Sequence, residues 1–283
     1  MDRTPGIVAD SSRDGLTAQL NEVWDSLAEL GASLDDREWD AATPCPGWPV
    51  SSQYAHVIGT ESMLLGRSNP EVEAPAEAPA HVRNQIGGFN EVWVSYFAGR
   101  PRREVLEAFD EVVAARKKAL EAMTEEDFSA SSWTPVGQAD YRRFMQIRVF
   151  DCWVHEQDIR DALGRPGHES GPVAEQSIDE IVRAAGFVVG KKAGAPSGSS
   201  VRFELTGPVR RRIDVDVSGR AQVVEALPGQ PSVTLSLSST ALSRLSCGRI
   251  LAAEVLGGAL GGIGFDGDEE LGRRVAQNLA FTI

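Results

Sequence analysis

The stretch Arg148-Val-Phe-Asp-Cys-Trp-Val-His-Glu-Gln-Asp-Ile-Arg160 sets ionisable side chains inside an otherwise apolar helix. Around it, Tyr141, Phe144, Met145, Ile147, Val149, Phe150, Trp153, Val154, Ile159 and Leu163 leave almost no side of the helix purely polar. That pattern marks a segment buried on most of its circumference. Gly164 and Pro166 end it. Asp151 and His155 stand four apart, so their side chains leave the same face one turn from each other. A carboxylate and an imidazole turned into a core need partners, and two readings are open. The pair offers two ligands to one divalent metal, as the two histidines of an H-E-x-x-H helix do, or a buried aspartate holds a histidine in one tautomer. A third donor elsewhere in the chain decides between them.

The 283 residues suffice for one large domain or two smaller ones, each with a full core. The formal net charge of -13 and a pI near 4.8 oppose a nucleic-acid or anionic-membrane partner, since both select basic surface. No run approaches about 18 consecutive apolar residues, and the N-terminus shows neither a basic nor an apolar leader region, so a cytoplasmic protein is expected. Cys45, Cys152 and Cys247 are odd in number and widely spaced, which fits reduced thiols better than a disulfide framework.

Leu16, Leu20, Val23, Trp24, Leu27 and Leu30 recur at helical spacing and predict a helix over Arg13–Ala32. Next comes Trp39-Asp-Ala-Ala-Thr-Pro-Cys-Pro-Gly-Trp48, dense in Pro and Gly with two Trp, a rigid packed turn that aims a helix over 50–66. In that helix His56 lies off the apolar stripe, near Ser52, Gly59, Thr60 and Met63, whose small or flexible side chains leave room beside the imidazole; a surface histidine would read the same way. The Pro- and Glu-rich run 69–80 reads as a lid-like loop, and helices are predicted over 86–97 and 101–123. Residues 124–140 read as a connection into the organising helix. The set makes a four-helix bundle, whose core is a usual place for metal ligands.

A further helix over 174–185 precedes the Gly/Ser-rich tract 190–200. There the period changes from 3.6 to 2. Val201/Phe203/Leu205, Ile213/Val215/Val217, Ala221/Val223 and Val233/Leu235/Leu237 alternate as strands of an antiparallel sheet, with helical patterns near 240–245 and 269–281 to cover it. The fold class expected is therefore α+β in two domains: a bundle over 1–192 and a small antiparallel-sheet α+β domain over 200–283.

With Thr43-Pro-Cys-Pro-Gly-Trp48 leading to His56, and Asp151-x-x-x-His155-Glu-Gln-Asp-Ile-Arg160 following, the chain resembles the mycothiol-dependent maleylpyruvate isomerase family over nearly its whole length. The resemblance implies a DinB-like bundle, a sterol-carrier-like C-terminal domain, and a divalent metal, usually zinc, on His56, Asp151 and His155. The acidic position is Asp151 where isomerase-type members usually have Glu. The resemblance further implies mycothiol as thiol cosubstrate and a small electrophile as acceptor, in an isomerase or an S-transferase.

Three protein ligands leave zinc an open position, the arrangement of a catalytic site. Arg148 is a candidate for a substrate carboxylate, with pairing to Asp151 or Asp158 the stronger role; Arg249 is a weaker candidate, for a C-terminal contribution to a cleft between the domains, with a surface arginine the stronger reading. Glu156 and Asp158 read as acceptors that orient a ligand histidine or a partner arginine. The competing reading is a non-catalytic small-molecule-binding module of the same fold. The metal reading requires His56, Asp151 and His155 to converge on one point although they come from two helices.

Overall fold

The Ser12 hydroxyl accepts the Gly15 amide at 3.0 Å and opens α1 (Arg13–Ala32), which buries Leu16, Leu20, Val23, Trp24 and Leu27 along one face. The computed structural model describes residues 5–72 and 79–282; residues 73–78, the middle of the expected lid, lie outside them. A short α2 (Asp36–Trp39), closed by a reciprocal cap between Asp35 and Glu38, leads into the Pro-rich turn and α3 (Val50–Leu64). α4 (Gln85–Phe97) and α5 (Arg102–Ala122) follow as their apolar spacing predicts.

The 124–140 connection is structured. It forms a capped turn of helix, α6 (Glu125–Ser129), and a hairpin of β1 (Ser131–Thr134) and β2 (Gly137–Asp140). Asp140 ends the hairpin and caps α7 (Tyr141–Leu163), accepting the Arg143 amide at 2.8 Å. Gly164 stops α7 at φ 61°, a left-handed geometry that favours glycine. α1 packs on α5 and α7, and α3 on α4, α5 and α7. Trp24, Tyr54, Phe109, Leu120, Met145 and Ile159 fill the space between them.

α8 (Pro172–Phe187) runs through a π-helical turn (Val188–Lys192) to the sheet. Its strands are β3 (Ser200–Thr206), β4 (Arg211–Asp216), β5 (Gln222–Val224), β6 (Val233–Ser238) and β7 (Gly264–Gly267), ordered β5-β4-β3-β6-β7. Neighbours are antiparallel except β3 and β6, which run parallel with Phe203 opposite Leu235. After the β3-β4-β5 meander the chain returns to the free edge of β3, and that crossover reverses the sense of the pair. α9 (Ser239–Ser246), α10 (Ala252–Leu256) and α11 (Glu269–Gln277) complete the unit; β7 and α10, Gly-rich or very short, gave no periodic signal in the sequence. No helix among the described residues is long and apolar enough to cross a membrane.

The two compact units divide differently from the expected 1–192 and 200–283. One is Ser11–Gly167; the other joins the residues up to Asp10 to His168–Thr282. α8 belongs with the sheet because its buried face of Val173, Ala174, Ile178, Ile181 and Val182 packs on β4, β5 and α9. The start of the chain belongs there because buried Asp179 of α8 accepts the Val8 and Ala9 amides at 3.1 and 2.9 Å while pairing with Arg211. Long-range partners of this kind leave no periodic trace in a sequence.

One detail of the bundle corrects the sequence reading. Gly59 does not leave a void beside His56, because the Trp93 ring of α4 lies over it, and a Cβ there would fall 2.5 Å from Trp93 Cγ. Gly to Ala in a helix interior normally gains about 1 kcal/mol, whereas overpacking a filled core costs about 1–3 kcal/mol. Gly59→Ala is therefore expected to lower stability by about 1 kcal/mol, checked by denaturant unfolding; a gain in stability would show that Trp93 does not seat on this glycine.

Candidate metal centre

The Thr43–Trp48 turn is tied to the bundle by one amide side chain. Thr43 Oγ1 donates to the Trp48 carbonyl at 2.6 Å and accepts the Cys45 amide at 3.2 Å. Fully buried Gln53, in the first turn of α3, donates through Nε2 to Thr43 Oγ1 at 3.0 Å and to the Trp48 carbonyl at 3.3 Å. A carbonyl only accepts, so these contacts fix the orientation of the amide and turn Gln53 Oε1 toward α7. There it meets His155 Nδ1 at 2.5 Å, with Asp158 Oδ2 also 3.5 Å from that nitrogen. Nδ1 of His155 therefore carries the proton, and Nε2 is the nitrogen left for a ligand.

His155 Nε2 faces Asp151 Oδ1 at 3.6 Å, and His56 Nε2 lies 2.9 Å from Asp151 Oδ2. The two imidazole centroids are 4.6 Å apart, and donor atoms of His56, Asp151 and His155 all fall within 4.8 Å of one another. The convergence that the metal reading requires is present. Trp48 packs its indole near both rings, with centroids 5.2 Å from His56 and 5.7 Å from His155. Both histidines are buried, while the Asp151 side chain is 30% exposed.

Burial pushes the His56 imidazole below its usual range, against the pull of Asp151. Burial also acts on His155, but its contacts with Asp151 and Asp158 outweigh it and raise the ring's pKa. Desolvation alone would raise the Asp151 carboxyl; His56, Arg148 and His155 instead hold it well below the usual carboxylate range. The donor set thus offers one carboxylate held in its charged form and two imidazole rings shifted in opposite directions. Among the described residues His56 Nδ1 is buried without a hydrogen-bond partner, so this ring's polar anchor there is Nε2, inside the donor set. Two imidazoles and one carboxylate suit zinc, and the preset tautomer of His155 suits any divalent cation that takes imidazole nitrogen.

Arg148 is committed within the protein. Its guanidinium donates to Glu61 Oε1 from Nε at 3.0 Å and from Nη2 at 2.8 Å, and reaches Asp151 Oδ2 through Nη1. Pairing with Asp151 is as the sequence suggests, and Glu61 takes the place allotted to Asp158. Arg249 lies in the other unit, donating to the Cys247 carbonyl at 3.0 Å. Glu156 turns to α1, accepting from Ser26 at 2.6 Å and from Arg160 at 2.7 Å. Cys152 Sγ sits 3.2 Å from Arg148 Nη2, and burial pushes its thiol up to about 12, so it is a packing residue. A second donor group, Cys45, His155 and Asp158, lies on the Nδ1 side of the same histidine, where Gln53 Oε1 already stands.

Sequence reasoning missed Gln53 and Arg116. Arg116 and Glu61 did carry a signal, since Arg116 falls at i+4 from Val112 and Glu61 at i+3 from Ile58, each inside an apolar stripe.

The fold and the site define a helical bundle that presents two histidines and a carboxylate from two facing helices, joined to a mixed α+β unit. Residues 20–160 match the family described as the mycothiol maleylpyruvate isomerase N-terminal domain. The solved structure of a mycothiol-dependent maleylpyruvate isomerase superposes with a TM-score of 0.55 at 18% identity, covering 84% of this chain and 90% of that one. A point mutant of a mycothiol-dependent maleylpyruvate isomerase gives 0.54 at 16% identity, with the same coverage. At such identity the likeness is one of fold. Uncharacterised proteins from two strains of Mycobacterium tuberculosis are 27% identical over 149 residues, 52% of this chain and 56% of theirs, so the match spans little more than half the length of these relatives.

Replacing Gln53 by Leu removes the acceptor that sets the His155 tautomer and is expected to weaken zinc binding about tenfold, the usual cost of losing such a support. Competition with a chromophoric chelator measures it, and an unchanged affinity would show that Gln53 does not orient the ligand.

Proposed function

We propose that the bundle holds a divalent metal, zinc by the character of its donors, on His56, Asp151 and His155. We propose further that the protein is an enzyme which activates a low-molecular-weight thiol, mycothiol, for addition to or transfer onto a small electrophile. The observation that carries the reading is the convergence of three donors from two helices with His155 already held in the tautomer a ligand needs. The match of residues 20–160 to the mycothiol maleylpyruvate isomerase N-terminal domain family supports the choice of thiol.

A cation held there supplies Lewis acidity, which lowers the pKa of a thiol into the neutral range. The chain's own residues do the rest. Gln53 and Asp158 keep the His155 proton on Nδ1, away from the donor side. Arg148 binds Oδ2 of Asp151 and holds the carboxylate in place. Trp48 covers both imidazoles and keeps water from their faces. Exposure of Asp151 gives the thiol its approach. Addition with elimination, as in an isomerase, and transfer to an electrophile, as in an S-transferase, both begin from the same activated thiol.

For the alternative, a small-molecule carrier, the apolar interior of the C-terminal unit lined by Ile181, Val188, Phe203, Ile213 and Leu242 leaves about 10 Å³, the room of one water, whereas a depression of about 1090 Å³ lies beside Arg183, Phe187, Lys191 and Val223 of the same unit.

Protein purified without chelator is expected to carry stoichiometric zinc and to consume maleylpyruvate or a model electrophile only when mycothiol is present. Asp151→Asn should lose the metal, because it removes the charge that offsets the cation, whereas Asp151→Glu should keep the metal and change turnover. Elemental analysis and turnover on the same preparations check this. A metal-free parent, or full metal and activity in Asp151→Asn, would remove the proposal.

A further inference from the structure

We infer that Glu61 and Arg116 are positioning residues for this centre: acting through Arg148, they confine Asp151 to a single donor oxygen, so that its carboxylate meets the cation through Oδ1 alone. The inference rests on the reading of His56, Asp151 and His155 as ligands.

Glu61 is completely buried on α3, the helix that carries His56. Its Oε2 takes Arg116 Nε at 2.7 Å, and its Oε1 takes both Nε and Nη2 of Arg148. Arg116, 1% exposed on α5, is fixed at its other end by the Tyr141 hydroxyl at 3.0 Å. With one edge of the Arg148 guanidinium clamped on Glu61, the remaining Nη1 is presented to Asp151 Oδ2 and, among the described residues, to no other carboxylate. The four groups alternate in charge from α5 through α3 to α7, two cations and two anions, so the chain is neutral as a whole.

The consequence lies in the two oxygens of Asp151. Oδ2 is loaded with Arg148 Nη1 and faces His56 Nε2, while among the described residues Oδ1 faces His155 Nε2 alone, at 3.6 Å. A charge-assisted hydrogen bond lowers the donor strength of an oxygen and blocks one of its lone pairs, so the cation takes Oδ1. Two-oxygen binding would require Asp151 to break from Arg148, which Glu61 holds in place. An unsupported Arg148 is free to turn, and Asp151 with it.

The alternative is that the network serves stability alone. The test uses the full chain loaded with Zn²⁺ or Co²⁺, reading zinc affinity by chelator competition and the visible absorption of the Co²⁺ form. Glu61→Gln is expected to weaken zinc binding about 10–100-fold and to change the Co²⁺ band envelope. The double variant Glu61→Gln/Arg116→Met removes one anion and one cation together, keeps the buried charge balanced, and should show the same loss even if the single variant folds poorly. Glu61→Asp, which keeps the charge, should recover part of the affinity. Asp214→Asn breaks a buried pair with Arg202 in the other unit and should lower stability with both readouts unchanged. Zinc affinity within about twofold of the parent and an unaltered Co²⁺ spectrum in the Glu61 variants would overturn the inference. If Asp151→Asn loses zinc while those variants keep it, this inference alone falls; if Asp151→Asn also keeps it, the ligand reading falls first.

Discussion

A buried chain of alternating charge, Arg116 to Glu61 to Arg148 to Asp151, is the constraint on which the bundle's interior depends. Arg116, Glu61 and Arg148 are each no more than 2% exposed, and an isolated charge in such a place is not tolerated. Removing one member of a buried ion pair typically costs about 3–5 kcal/mol, while a well-packed apolar replacement of the whole set is often neutral. The network is therefore a poor way to gain stability and a good way to specify geometry. It fixes the rotation of α3 and α7 about their axes, because Glu61 on one and Arg148 on the other must meet. That same rotation brings His56 and His155 to the face they share with Asp151.

Burial of Arg148 by itself would lower its pKa, yet Cys152, Glu61 and Asp151 together raise it. The guanidinium stays charged at any pH the fold survives, and so does its hold on Asp151. The centre thus has a permanent arginine on one side and a hydrogen-bonded imidazole on the other. The Thr43–Trp48 turn adds the third support, since Gln53 spans from its backbone to His155. A Pro- and Gly-rich turn with two tryptophans gains a definite role in this arrangement: it holds the amide that sets a tautomer, and its Trp48 covers both rings.

The helical half was largely legible in the sequence, and for a physical reason. Amphipathic helices of about twenty residues announce themselves through their period, and the Arg13–Ala32 and Tyr141–Leu163 helices end where Ser12, Asp140 and Gly164 place their caps. Asp151 and His155 were legible because helix geometry puts i and i+4 together. His56 was not decidable from its own stripe, since a surface histidine reads the same; the turn before it carried the signal. The division between the units was misplaced because α8 is amphipathic in any setting, and only the sheet that covers its apolar face tells which unit owns it. Gln53 and the parallel pairing of β3 with β6 depend on partners distant in sequence, which no local period encodes.

The proposed cation sits on the Nε2 side of His155, with His56 and Asp151, and not on the Nδ1 side with Cys45 and Asp158. X-ray absorption at the zinc edge of the loaded protein distinguishes them directly. The expected result is a shell of nitrogen and oxygen only, with two imidazoles and one carboxylate at about 2.0–2.2 Å. A sulfur scatterer at about 2.3 Å would place the metal on Cys45 and contradict it.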